Sequence, residues 1–99
     1  MSNEIRASHI LVSTDTRKKD QALSETESLQ KKIADGADFG DVARENSDCP
    51  SGSRGGDLGH FGRGAMVPEF EEAAFALDVN EVSGIVETDF GYHLIMRTE

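Results

Sequence analysis

Two histidines and one cysteine are the residues of this sequence best suited to chemistry. His9 lies in Ile5-Arg6-Ala7-Ser8-His9-Ile10-Leu11-Val12. Ala7 and Leu11 stand two residues to either side, so in a strand they share its face. His93 lies in a second extended run, with Ile95 on its face. If those strands are neighbours, both imidazoles enter one interior, where each can supply the other's hydrogen bond and form a buried polar centre. The bland alternative is two core histidines, each satisfied separately. Cys49 sits in Asn46-Ser47-Asp48-Cys49-Pro50-Ser51-Gly52. It reads either as a small buried hydrophobe, the usual state of a free cysteine, or as a polarisable group beside the imidazoles. His60, within a glycine-rich stretch, is expected at the surface.

Other chemistries fit less well. One cysteine and two histidines suggest zinc, but no C-x-x-C or H-x-x-x-H spacing is present and a closed structural site wants four ligands. No metal or other cofactor is expected. A cysteine hydrolase needs an oxyanion hole and an orienting group, and neither shows in the sequence. Gly56, Gly59, Gly62 and Gly64 lack the G-K-[ST] of a phosphate loop. Leu58, Met66 and Phe70 are either core or the floor of a shallow apolar cup, because Met66 and Phe70 stand four apart around a helix start. Arg17-Lys18-Lys19 is the one basic cluster and reads as a solvated helix start.

The elements that must position these residues can be read from patterning. Ile5–Val12 is a strand, apolar on both sides at its far end and hence central in a sheet. Thr16 to Asp35 is a charged helix with a narrow stripe of Ala22, Thr26, Leu29 and Ile33, stopped by Gly36. Asp38 caps a second helix carrying Phe39, Val42 and Ala43 and ending near Asn46. Six of the ten glycines fall between Gly52 and Gly64, where Leu58 and Phe61 mark a short strand between tight turns. Pro68 opens a third helix that buries Phe70, Ala74 and Leu77. The end is a hairpin: Val82 to Thr88, a turn at Asp89-Phe90-Gly91, then Tyr92 to Arg97. The order is β-α-α-β-α-β-β, which predicts an α+β fold with a mostly antiparallel sheet.

Composition sets outer bounds. Ninety-nine residues make one domain, 1–99, with one small core. Ten Lys plus Arg against nineteen Asp plus Glu give a net charge of −9, which argues against nucleic acid or an anionic membrane surface as partner. A single cysteine cannot form an internal disulfide and fits a reducing compartment. The start, Met1-Ser2-Asn3-Glu4-Ile5-Arg6, lacks a leader's basic stretch and apolar run, and no run approaches the roughly 18–20 residues of a membrane span. The expectation is a soluble, cytoplasmic protein.

Several of these runs together resemble the parvulin-type peptidyl-prolyl cis-trans isomerases. The matching stretches are Ala7-Ser8-His9-Ile10-Leu11-Val12, Cys49-Pro50-Ser51-Gly52 through Gly55-Gly56-Asp57-Leu58-Gly59, Met66-Val67-Pro68-Glu69-Phe70, and Phe90-Gly91-Tyr92-His93. The likeness is greatest to the small single-domain bacterial members. The resemblance implies a four-stranded antiparallel sheet surrounded by helices and a groove for a proline-containing peptide. It implies that His9 and His93 are the paired histidines beneath the site, with Cys49 facing the peptide bond and Thr88 completing the hydrogen-bonded network. Leu58, Met66 and Phe70 would hold the proline ring, with Phe61 bordering the pocket. Some family members carry Asp where Cys49 stands, which implies an electrostatic role for that position. Phospho-specific members have a longer loop after the first strand and a basic residue where Ser13 stands here. Phe90 matches the nonspecific branch and implies apolar or undiscriminating recognition. The expected protein is a monomer acting without cofactor on X-Pro bonds of unfolded or flexible segments, assisting folding.

Overall fold

In a computed structural model the protein is described over residues 4–99; Met1, Ser2 and Asn3, part of the start considered above, lie outside the described residues. The elements are β1 (Ile5–Ser13), α1 (Lys19–Ala34), α2 (Phe39–Asn46), β2 (Asp57–Phe61), α3 (Pro68–Phe75), β3 (Val86–Thr88) and β4 (Gly91–Arg97), with a 3-10 turn at Pro50–Arg54 before β2. They build one four-stranded sheet in the order β2-β1-β4-β3, antiparallel throughout. The α+β architecture and element order match the expectation. The first and last strands take the centre because each is apolar on both faces, so each needs cover on both sides.

Alternation along β1 and β4 divides the core in two. Ile10 and Val12 on β1 and Tyr92 and Leu94 on β4 face α1 and α2, where they pack with Ala22, Leu29, Phe39 and Val42. Ile5 and Ala7 on β1 and Ile95 on β4 face the other way, against Phe61 of β2 and Phe70, Ala74 and Leu77 of α3 and its end. Of the stripe expected on α1, Ala22, Thr26 and Leu29 are buried, and Ile33 at its end is only partly buried. Asp38 caps α2 by accepting the Asp41 N–H at 3.1 Å, and Pro68 occupies the first turn of α3.

Two boundaries differ from the sequence expectation. α1 begins at Lys19, not Thr16, because the Arg17 guanidinium turns back to the Ser13 carbonyl (2.8 Å) and to Asp48 (2.6 Å), holding the approach as a bend. The hairpin's first strand shortens to Val86–Thr88, with Val82 left as a lone bridge to Met96. Ser83 is the reason. Its hydroxyl accepts the Ile95 N–H at 3.1 Å and donates to its neighbour Gly84 carbonyl at 2.7 Å, replacing the regular ladder with a side-chain bond.

β2 is tied to β1 by charge as well as by pairing. The β1–β2 register shifts between Arg6 and Ser8, and there the Arg6 fork grips Asp57 at 2.7 and 3.1 Å. Those hydrogen bonds hold the Asp57 carboxyl down at about 2, so the pair stays ionised well into acid. Among the described residues, no helix is long and apolar enough to cross a membrane.

Candidate active site

In the β1–β4 register His9 stands opposite Ile95, and Leu11 opposite His93. The two histidines are therefore diagonal neighbours on the α3 face of the sheet. Their rings stack at 5.3 Å and 18°, and the two Nδ1 atoms lie 3.1 Å apart, so one must donate and the other accept. His93 Nε2 meets the Thr88 hydroxyl at 2.8 Å, and that hydroxyl oxygen also accepts the Phe90 N–H at 3.2 Å. Thr88 thus joins the hairpin turn to the histidine pair. The chain of bonds stops at His9 Nε2, which is buried without a partner.

Both imidazoles are nearly inaccessible, at 6% and 4% exposure. Burial lowers each to about 4, and for His93 the neighbouring His9 adds to the effect. Burial therefore leaves the pair neutral at physiological pH, and geometry limits how much charge it can ever take. A third proton shared by the pair can go to the free Nε2 position, but a fourth would set two N–H groups face to face across 3.1 Å.

Cys49 reaches the same face through a segment stitched to β1. The Leu11 N–H donates to Ser47 Oγ, the Asp48 N–H donates to the Leu11 carbonyl, and the Ser13 N–H donates to Asp48 Oδ2. The Cys49 N–H also donates to Ser47 Oγ at 3.3 Å, and Ser51 donates its hydroxyl to the Cys49 sulfur at 3.2 Å. The 3-10 turn then brings Gly56 against β1, where the His9 N–H donates to the Gly56 carbonyl at 2.9 Å. Gly56 has φ +85°, and a Cβ there would overlap the His9 carbonyl oxygen. Only glycine allows that approach.

A cavity of about 420 Å³ opens over these groups. His9, His93 and Cys49 form its polar side; Leu11, Leu58, Met66 and Phe70 form its apolar side; Ala65, Val67 and Phe90 form its rim. Both imidazoles meet the Phe70 ring edge to face, at 5.5 and 5.4 Å, and so fix the orientation of that ring. Phe90 is 55% exposed, a large apolar side chain standing free beside an open hollow.

The structure brings His9, Cys49, His93, Leu58, Met66, Phe70 and Phe90 around one cavity, with Thr88 one bond behind. Phe61 does not border it, contrary to expectation. It is buried behind Phe70 at 6.3 Å, because the parity of β2 turns it into the core beside Phe75. Leu11, Ala65 and Val67 were missed as lining residues; for Leu11 the signal existed, since it shares the face of His9. Ser47 and Ser51 gave no periodic signal, because their roles depend on where the loop meets β1. His60 is exposed as expected and lies 3.2 Å from Glu99. Among the described residues no three His, Cys, Asp or Glu side chains converge to hold a metal ion.

A family model described as the PPIC-type PPIASE domain matches residues 1–99. Pin1 of Digitalis lanata, a peptidyl-prolyl cis-trans isomerase, is 46% identical over 117 residues, covering 98% of this chain and 98% of that protein. Foldase protein PrsA of Geobacillus kaustophilus is 50% identical over 97 residues, covering 97% of this chain but 32% of the foldase. The solution structure of NmPin, the parvulin of Nitrosopumilus maritimus, superimposes with a TM-score of 0.77 at 44% identity, covering 100% of this chain and 99% of that one. With the site's geometry in place, this chain belongs to the parvulin-type peptidyl-prolyl cis-trans isomerases.

Proposed function

We propose that the cavity over His9 and His93 is where this isomerase turns X-Pro bonds in unfolded or flexible protein segments, as a monomeric, cytoplasmic, single-domain assistant of folding. The observation that carries the reading is the combination of an apolar cup with one neutral polar floor. The proline ring rests on Phe70 between Leu58 and Met66, and Cys49 faces the amide.

A peptide bond resists rotation by about 18–20 kcal/mol because its planar form is conjugated and polar; the tertiary X-Pro amide still takes tens to hundreds of seconds to turn. Twisting removes conjugation and charge separation. An apolar cup strips water from the planar amide and so favours the twisted form over it. A thousandfold to millionfold gain requires only about 4–8 kcal/mol of that difference. No bond is made or broken. The neutral histidine pair suits this task, since an imidazolium would draw water into the cup. His9 and His93 hold Phe70, Thr88 positions His93, and Cys49 tunes the carbonyl's surroundings electrostatically.

The direct test is exchange spectroscopy on an alanyl-prolyl peptide with and without protein. Faster cis/trans exchange supports the reading. Unchanged exchange at millimolar peptide, with resonances at Met66 and Phe70 still shifting, would leave a binding module instead. Cys49→Asp is expected to keep kcat/KM within about tenfold of the parent, a loss below ~1.4 kcal/mol. Complete loss in that variant would call for a thiol-specific step.

Recognition of the residue before proline is proposed to be non-phosphorylated. Of the basic cluster, Arg17 is committed to Asp48 (2.6 Å) and Glu25 (3.2 Å), and Lys19 to Glu87 (2.6 Å). The hollow adjoining the cup at Leu11 and Phe90 is lined by Asp15 and Asp48. A phosphate placed there meets carboxylates and finds Arg17 already occupied. Replacing alanine by phosphoserine before proline is expected to lower kcat/KM roughly fivefold, since such repulsion costs about 1 kcal/mol. An unchanged or higher kcat/KM for the phosphopeptide would refute this.

A further inference from the structure

The part of the cup that precedes α3 comes from a loop with little structure of its own. Residues 62–67 contribute Ala65, Met66 and Val67 to the cavity. Gly64 in their middle has φ +91°. Among the described residues, the one backbone bond within the loop is long, from the Ala65 N–H to the Gly62 carbonyl at 3.4 Å. The bond from the Glu71 N–H to the Val67 carbonyl (3.0 Å) anchors the end of the loop to α3, but no backbone bond ties residues 63–66 to that helix.

One side chain bridges the gap. Glu71 follows Phe70 directly in the first turn of α3, where the helix dipole favours a carboxylate. Glu69 and Glu72 beside it are exposed, but the Glu71 side chain is only 18% accessible and turns back onto the loop. Its Oε1 accepts the Gly64 N–H at 2.5 Å, and its Oε2 faces Arg63 Nη1 at 3.4 Å. The Arg63 guanidinium lies over the Phe75 ring, 4.5 Å from its centroid, one turn further along α3. Phe75 in turn packs on Phe61, and Phe61 on Phe70. The loop is therefore clamped at two consecutive residues onto the helix that carries Phe70.

We infer that Glu71 is a positioning residue, setting the aperture between Met66 and Phe70 through its bond to the Gly64 N–H. It touches no substrate. The inference rests on reading the cup as the proline site, and it deepens that reading by naming what holds the cup at working width. Removing the bond frees the loop, so peptide binds less tightly while the chemistry of the bound peptide is unchanged.

Three variants separate reach from charge. Glu71→Gln keeps an oxygen that can accept the Gly64 N–H but loses the charge. Glu71→Asp keeps the charge at the helix start, and with it the fold, but is one methylene too short. Glu71→Ala loses both. The measurements are backbone 15N order parameters at Gly64, Ala65 and Met66, alanyl-prolyl peptide Kd by NMR titration, and KM and kcat.

For Glu71→Asp and Glu71→Ala, order parameters in the loop are expected to fall from about 0.85 towards 0.6. KM and Kd are expected to rise about three- to tenfold, with kcat within twofold. Glu71→Gln should restore most of both. Unchanged loop order parameters and Kd in Glu71→Asp overturn the inference, as does Glu71→Gln behaving like Glu71→Ala while Glu71→Asp behaves like the parent. Should Glu71→Ala not fold, the other two variants decide. Failure of the site reading shows separately, in the parent protein, as a peptide that leaves Met66 and Phe70 unshifted.

Discussion

Phe70→Ala is expected to lower kcat/KM for an alanyl-prolyl peptide by about 30- to 100-fold, because an apolar platform contributes roughly 2–3 kcal/mol of burial to the proline ring. Phe70 is 3% exposed and is held from three sides: by both imidazoles edge to face and by Phe61 behind. Truncation therefore also costs stability, about 3–5 kcal/mol for a phenylalanine removed from a packed core. That is a large share of the 5–15 kcal/mol typical of a whole domain. The assay belongs at low temperature, on a variant whose NMR spectrum shows a native fold. Phe70→Leu, which keeps most of the apolar volume, should stay within about tenfold of the parent. A folded Phe70→Ala variant within threefold of parent activity would remove Phe70 from the site.

The second large effect is a loss of stability in mild acid. His9 and His93 are lowered to about 4 in the native protein against 6.5 in an unfolded chain, first by burial and, for His93, also by His9. Between those values the unfolded state binds more protons than the native one. Stability is thus full above pH 6.5 and declines as pH falls towards 4, by roughly 1 kcal/mol per pH unit for each histidine. Urea denaturation at pH 7.5 and at pH 5 should differ by about 2–4 kcal/mol, before most carboxylates begin to titrate. Asp57, held at about 2, does not contribute in that window. A His9→Leu, His93→Leu double variant should flatten the dependence. Equal stability at the two pH values in the parent would show that the pair does not resist protonation.

Much of this was legible in the residues. Period-two alternation placed His9 with Leu11 and His93 with Ile95, because a strand has only two faces and each was apolar. The stripe of Ala22, Thr26 and Leu29, the Asp38 cap and the Pro68 start are local preferences, and the structure keeps them. Family resemblance, carried by Cys49-Pro50-Ser51-Gly52 and Phe90-Gly91-Tyr92-His93, supplied the fold and activity that such local signals leave open. What failed was non-local. Phe61 was placed at the pocket, but which face of β2 meets the cup depends on a register shift at Arg6 and Ser8. The strand from Val82 is shorter than its residue pattern predicts because the Ser83 hydroxyl takes a ladder bond from the Ile95 N–H, and nothing at Ser83 alone announces that.

The sequence by itself determined the residue types of the site and the face each strand presents, since side-chain chemistry and backbone parity are local properties. Tertiary structure decided the distances. The Nδ1 atoms meet at 3.1 Å because β1 and β4 pair in one register. Cys49 arrives because Ser47 and Asp48 bond to β1. The apolar wall stands where Glu71 holds Gly64. Each of these is a contact between segments far apart or differently folded, and its geometry comes from the packing of the whole sheet. The lone cysteine and the pair of histidines were visible as letters; the contact between the two imidazoles, and the burial that resists their protonation, exist only once the strands pair.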